Sequence, residues 1–153
     1  MGEGREPRDE GQKTPVRAAP KRIGIAIVEH RGRLLIGVRQ ADQVLAGHAE
    51  FPGGKCRPDE PERDCAVREC LEETGLAVKP VELFARMEFE YPHATVDLHF
   101  WLCQLNPASK EGSSPKAENG FEWLPAAELA NLNFPEANAA VVGRLIERFA
   151  KPG

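Results

Sequence analysis

Residues 54–76 read GKCRPDEPERDCAVRECLEETGL, and the organisation of the chain is decided there. The stretch begins as a glycine loop, passes through Pro61 and ends in a short helix stopped by Gly75. In that helix Glu69, Glu72 and Glu73 stand at i, i+3 and i+4, so at about 100° of rotation per residue the three carboxylates share one face. Val67, Cys70, Leu71 and Thr74 fall on nearly the opposite face, which separates a core side from an acidic side. Three like charges in adjacent turns repel, by roughly 0.2–0.5 kcal/mol per i, i+4 pair. A helix that only needed solubility would more often mix in Lys or Arg. A hard-cation site explains the cluster; on charge spacing alone, a solvated helix face explains it equally well.

The whole string separates the two readings. Gly54, five residues, Glu60, seven residues, Arg68-Glu69, an apolar Cys70, Leu71, Glu72-Glu73, Thr74, Gly75 and an apolar Leu76 together resemble the signature of the Nudix hydrolases. Every fixed position is filled across 23 residues. The soft departure is Cys70, where the family more often has a larger aliphatic residue; cysteine behaves as a small hydrophobe, so this bears on packing and not on chemistry. Glu50-Phe51-Pro52-Gly53-Gly54-Lys55 resembles the EFPGGK string of the MutT-like branch. Phe134-Pro135-Glu136-Ala137-Asn138 is similar to that branch's FPPAN string. The resemblance covers Arg22 to Phe149 and implies an α/β domain with the Nudix fold, an α-β-α sandwich with a mixed β-sheet between helices.

The resemblance also implies a chemistry. A nucleoside triphosphate resists hydrolysis because its phosphate oxygens repel a nucleophile, and bound magnesium neutralises that charge and activates water. Mg²⁺ takes oxygen ligands and keeps several waters, so a few carboxylates and substrate oxygens suffice. Glu69, Glu72 and Glu73 supply the carboxylates, and by resemblance the carbonyl of Gly53 joins them, with Mn²⁺ as a substitute ion. Glu69 and Glu72 count as catalytic. Arg68 is grouped with them, although a guanidinium is a poor metal ligand; it is expected to orient a glutamate such as Glu60 through an ion pair. For the general base the candidates are Glu118 and, less well placed, Glu111, since relatives use a glutamate from the loop before the Glu-Trp strand.

Substrate contacts are assigned by resemblance to Arg39, Glu50, Phe51 and Asn138. A strand-end Arg such as Arg39 is ordinarily a surface residue, but a planar guanidinium suits phosphate. An amide such as that of Asn138 offers donor and acceptor to a purine edge; its plain alternative is a helix cap. The implied reaction converts a nucleoside triphosphate to monophosphate and diphosphate, with oxidised purines such as 8-oxo-dGTP as substrate. Alternatives are a pyrophosphatase of cytidine or methylated pyrimidine nucleotides, or a noncatalytic nucleotide sensor, against which the costly triple-glutamate set argues.

Around this centre the chain reads as alternating strands and helices. Arg22 to His30 alternates Ile23, Ile25 and Ile27, the pattern of a half-buried strand. Gly32 sits in a turn, and Leu34 to Val38 is the hairpin partner. Leu76 to Tyr91 reads as a strand or two broken at Lys79-Pro80, with Leu83, Phe84, Met87 and Phe89 as packing candidates. Thr95 to Leu105 carries large apolar groups on both faces, which predicts a central strand covered on two sides. His99 within it reads as a packed or hydrogen-bonded residue, not a catalyst. Asn106 to Gly120 is a polar loop, Phe121 to Pro125 a short strand, and a last helix buries Val141, Val142, Leu145, Ile146 and Phe149.

Bulk properties set the remaining bounds. A chain of 153 residues with 41% hydrophobic content is long enough for one domain with a core, placed at 21–150. Residues 1–20 hold almost nothing to bury and read as a disordered arm. A net charge of −4 argues against a basic nucleic-acid surface but not against a nucleotide ligand. Met1 to Lys21 shows no apolar run and position 6 is Glu, so neither signal peptide, membrane span nor myristoylation is expected. Cys56, Cys65, Cys70 and Cys103 form no CxxC pair, so free thiols in a reducing cytoplasm are expected. The expected partner is the nucleotide alone, with no stable nucleic-acid or membrane binding, in a monomer or dimer.

Overall fold

The structure is a computed structural model that describes residues 19–38, 47–107 and 114–150. Arg39, Glu111 and nearly all of the arm read over residues 1–20 lie outside the described residues. In chain order the elements are β1 (Lys21–His30), β2 (Arg33–Val38), β3 (Ala49–Glu50), β4 (Gly53–Lys55), α1 (Glu62–Thr74), β5 (Val78–Tyr91), β6 (Ala94–Leu105), β7 (Phe121–Pro125), two 3₁₀ turns (Ala126–Asn131 and Glu136–Asn138) and α2 (Ala139–Phe149).

The described strands join in one seven-stranded mixed sheet, with the path β3-β2-β1-β6-β5 and with β4 on β1 and β7 on β2. β1 is its hub. Its N-terminal half pairs antiparallel with β4, so that Gly24 faces Gly54 and Ile25 faces Gly53. Its C-terminal end turns into β2, and along its other side it runs parallel to β6. One core cluster packs Ile25, Ile27, Phe51 and Phe100 beneath Val141, Val142 and Leu145 of α2. A second joins Ala26, Val28 and Cys103 to Ala66 and Cys70 of α1. Helices therefore cover both faces of the sheet, the layered α/β arrangement expected.

Three expectations are corrected. β1 is not half-buried: Gly24 to Val28 are all buried, because Ala26 and Val28 face α1 while the isoleucines face α2. Leu71 is not part of the core side of α1; it is 51% exposed, and the buried residues are Cys65, Ala66, Cys70 and Thr74. Small side chains let the helix lie close to the sheet, and Leu71 is turned one residue further round. β5 is a single strand through Lys79-Pro80, with register shifts against β6 between Pro80 and Glu82 and between Leu83 and Ala85. Those irregularities leave Leu83 45% exposed while Phe84 is buried.

β6 lies between β1 and β5 and is buried on both faces, as its two apolar faces predict. His99 is buried within it, its Nε2 3.1 Å from Asp97 Oδ1 and 3.8 Å from Glu62 Oε2, with no well-directed hydrogen bond.

Candidate active site

α1 starts without a side-chain cap. Pro61 takes the cap position in extended conformation (φ −60°, ψ 145°), and Glu62 and Asp64 in the first turn complement the helix dipole. The helix stops at Gly75, whose left-handed φ of 79° lets its N–H reach Leu71 O at 2.9 Å. Within it, the acidic and buried sides are less separate than a flat reading of the sequence suggests. At about 100° per residue, Glu73 lies within about 20° of Ala66 in projection, so Glu69 and Glu73 point at the sheet rather than away from it. They point at the glycine loop. Gly53 N–H donates to Glu73 Oε1 at 3.1 Å. The Glu69 carboxylate occupies the place where a side chain on residue 54 would begin: a Cβ built on Gly54 would overlap its carbon and both oxygens. Only glycine admits that approach.

Arg68 organises the neighbouring carboxylates. Its Nε donates to Glu60 Oε2 at 2.7 Å and its Nη2 to Glu60 Oε1 at 2.9 Å, a bidentate fork. Its Nη1 reaches Glu69 Oε2 at 2.9 Å and both oxygens of Glu72 at 3.3 Å, and Nη2 also donates to the Lys55 carbonyl at 3.2 Å. Glu60 is thereby held down to about 2, first by Arg68 and then by the Arg57 N–H. Glu73 moves the other way. Burial pushes it up to about 7 against the opposing Gly53 N–H, and the nearby Glu69 and Glu50 carboxylates push in the same direction. A carboxylate cluster that holds a proton near neutral pH is one whose negative charge is under-compensated.

Among the described residues, no three His, Cys, Asp or Glu side chains converge closely enough to hold a metal ion by themselves. An ion that keeps waters and shares itself with substrate oxygens needs only part of its ligands from the protein. The geometry tests the fit through Gly54: the loop backbone and the Glu69 carboxylate are in direct contact, and hard oxygen donors line the junction. Burial pushes the Cys65 and Cys103 thiols up to about 12 and Cys70 up to about 11. Cys56, Cys65, Cys70 and Cys103 are all free.

The other expected residues fall in different places. Glu50 ends β3, exposed, and is close enough to Glu73 to raise it. Phe51, expected against substrate, is 7% exposed; its ring stacks on Phe134 at 5.1 Å and meets Phe100 edge-on at 6.4 Å. Its part is to fix the two MutT-like strings to each other from within the core. Ala49 N–H to Asn133 O at 3.1 Å ties together the residues that immediately precede the two strings. Asn138 is half-buried at the cap position of α2, yet its side chain makes no cap hydrogen bond, so the plain reading as a cap does not describe it. The Glu118 carboxylate lies against Gly75, and its N–H donates to Thr74 O at 3.0 Å. Next to it the Asn119 side chain donates to Glu73 O at 2.7 Å. The loop before β7 is thus docked on the C-terminal end of α1. Asn119 is a residue beside the site that sequence reasoning missed. Asn119 has one faint signal, an Asn-Gly pair that favours the positive φ of 58° it adopts.

A family model described as NUDIX domain matches residues 24–144. The chain belongs to the Nudix family. Among curated proteins it is 33% identical to an 8-oxo-dGTP diphosphatase of Escherichia coli K12 over 127 residues, covering 80% of this chain and 94% of the relative. It is 40% identical over 76 residues to a CTP pyrophosphohydrolase of the same organism, covering 50% of this chain and 56% of the relative. A solved MutT protein of the Nudix hydrolase family from methicillin-resistant Staphylococcus aureus superposes with a TM-score of 0.61 at 30% identity, covering 85% of this chain and 99% of that one. The protein is a Nudix hydrolase of the MutT-like branch, an enzyme acting on phosphorus-containing acid anhydrides. No described helix is long and apolar enough to cross a membrane.

Proposed function

We propose that this Nudix hydrolase is a Mg²⁺-dependent nucleoside triphosphate pyrophosphohydrolase that converts an oxidised purine triphosphate such as 8-oxo-dGTP, with one water, to the monophosphate and diphosphate. The observation that carries the reading is the junction at residues 53 and 54, where Glu69 and Glu73 press on a glycine backbone and Glu72 is held beside them by Arg68. Glu69, Glu72, Glu73 and the Gly53 carbonyl are the residues that would hold Mg²⁺, with Mn²⁺ as substitute. When bound, the ion would neutralise phosphate charge and lower the pKa of a water nucleophile. The chain's own residues orient and balance charge: Glu60 fixes Arg68, Arg68 fixes Glu69 and Glu72, and Glu118 brings a further carboxylate to the end of α1 as a candidate base. Arg39 and Glu50 are assigned to the substrate, and Phe51 to the wall behind it. Such an enzyme would cleanse the cytoplasmic nucleotide pool before DNA synthesis, as a monomer or dimer.

Base choice is assigned to Asn138, whose amide is free of capping duty. The 8-oxo-dGTP diphosphatase relatives support the oxidised purine. The 40% identity to a CTP pyrophosphohydrolase favours a second reading, a pyrophosphatase of cytidine or methylated pyrimidine nucleotides. Steady-state kinetics with Mg²⁺ on 8-oxo-dGTP, dGTP, CTP and 5-methyl-dCTP decides between them. The first reading requires the highest kcat/KM for 8-oxo-dGTP, and a preference for the pyrimidines would overturn it. Asn138→Ala should lower kcat/KM for 8-oxo-dGTP by about tenfold or more while changing CTP little, because only purine-edge reading uses that amide.

A further inference from the structure

Arg22 lies outside residues 54–76, yet its guanidinium is bound to that stretch through four acceptors. Nη1 donates to the Glu60 carbonyl at 2.8 Å and to Glu62 Oε2 at 2.9 Å. Nη2 donates to the Arg57 carbonyl at 2.7 Å and the Pro58 carbonyl at 3.0 Å. The main chain returns the connection, since Cys56 N–H donates to Arg22 O at 2.9 Å. The segment so gripped, 56–61, has no helix or strand, and each of its residues is exposed or half-buried. Apolar packing therefore does little to hold it. Its internal bonds are few: Glu60 N–H to Arg57 O at 3.1 Å and Arg57 N–H to Glu60 Oε1 at 3.0 Å.

The segment carries Glu60, and Glu60 anchors Arg68 through two short bonds, while Arg68 in turn holds Glu69 and Glu72. A guanidinium on β1 thus fixes a loop, the loop fixes a carboxylate, and that carboxylate fixes the arginine on which the catalytic glutamates lean. We propose that Arg22 is a positioning residue for Glu69 and Glu72, acting through the 56–61 segment and Arg68. The proposal rests on the reading of those glutamates as the metal and phosphate centre. Residue type matters here. A planar fork with five donors serves several carbonyls at once, whereas a lysine ammonium in the same place is a point charge that cannot match this spread of acceptors.

The test compares Arg22→Met and Arg22→Lys with Arg148→Ala, which removes an arginine tie to Glu82 away from the site. Backbone amide exchange at Arg57 and Glu60 reads the segment, Mn²⁺ binding by electron paramagnetic resonance reads the carboxylates, and kinetics on dGTP and 8-oxo-dGTP read the outcome. In folded Arg22→Met, exchange at those two amides should quicken by about tenfold. Mn²⁺ should bind more weakly, and kcat should fall by about tenfold with KM changed less than about twofold. Arg22→Lys should fall between this and the wild type, and Arg148→Ala should change none of the three. Wild-type exchange at Arg57 and Glu60 in Arg22→Met would overturn the proposal, as would quickened exchange with unaltered Mn²⁺ binding and kcat. Should Arg22→Met fail to fold, Arg22→Lys carries the same readings. If the wild type cleaves no triphosphate, the functional reading fails, while amide exchange and Mn²⁺ affinity still decide the role of Arg22.

Discussion

At the scale of the residue, two glutamates of one helix answer to opposite environments. Glu72 is exposed and is tied into the site through Arg68 at 3.3 Å and, more loosely, through Arg57 Nη2 at 3.9 Å. Glu72→Gln keeps the volume and removes the charge, so the fold should persist. Turnover should fall by at least about 100-fold while nucleotide binding stays measurable by calorimetry, the pattern of a lost charge at a metal centre; unchanged turnover would refute its assignment. Glu73 is raised to about 7 from an ordinary 4.5 by burial, then by Glu69 and Glu50. For an acid the sign follows directly. Between 4.5 and 7 the folded state holds the extra proton, so stability falls as pH rises through that window, and the cost is fully present above it. A divalent cation among the same carboxylates competes with that proton. Mg²⁺ should therefore raise the melting temperature more at about pH 8 than at about pH 6. An equal or larger rise at the lower pH would show that Glu73 is not the group responsible.

At the scale of the element, α1 is legible in the sequence at its ends and not along its side. Its ends are legible because backbone requirements are local: Pro61 cannot continue a helix backwards, and Gly75 takes a left-handed φ of 79° that other residues resist. Gly75→Ala should cost about 1–2 kcal/mol from that backbone alone. It also places a Cβ 2.9 Å from the Glu118 carboxylate, so that side chain must move. Urea unfolding of Gly75→Ala beside Gly75→Ala/Glu118→Ala separates the parts: the second change should recover the crowding and leave the strain. Full recovery would mean that the φ contributes nothing. The side of the helix was harder to read, because which residues face the sheet depends on how closely the sheet lets the helix approach. Ala66, Cys70 and Thr74 allow a near approach, and this drew Glu69 and Glu73 inward and turned Leu71 out to 51% exposure. The same limit explains β5, whose register shifts arise from pairing with β6 and leave no mark in its own alternation. It explains Phe51 too, since its packing on Phe134 and Phe100, residues distant in sequence, places it in the core.

At the scale of the whole molecule, the site is a seam between a sheet and a helix that the signature alone spans only in part. The spacing from Gly54 to Leu76 was legible because one loop and one continuous helix, Glu62–Thr74, relate its residues. The contribution of Arg22 was not, because nothing in an Ile-rich strand signals that carbonyls of a loop more than thirty residues on converge on its guanidinium. The seam makes the stability of the fold and the order of the site one property, and acid should expose this. Glu60 is held down to about 2 by Arg68 and the Arg57 N–H, against an ordinary 4.5. A depressed carboxylate stabilises the folded state above the unfolded value and loses that contribution as pH falls toward the folded one, so the window here runs from 4.5 down to about 2. Glu60→Gln removes the titration and keeps the shape. Urea unfolding at steps between about pH 5 and about pH 2.5 should give a wild type that loses stability steeply and a Glu60→Gln protein that starts lower and falls less. The two curves should approach each other as pH drops, since protonated Glu60 and glutamine leave Arg68 equally unpaired in charge. Parallel curves across the window would mean that the Glu60 titration is not linked to folding, and that the charge of the Arg68–Glu60 fork does not stabilise the fold.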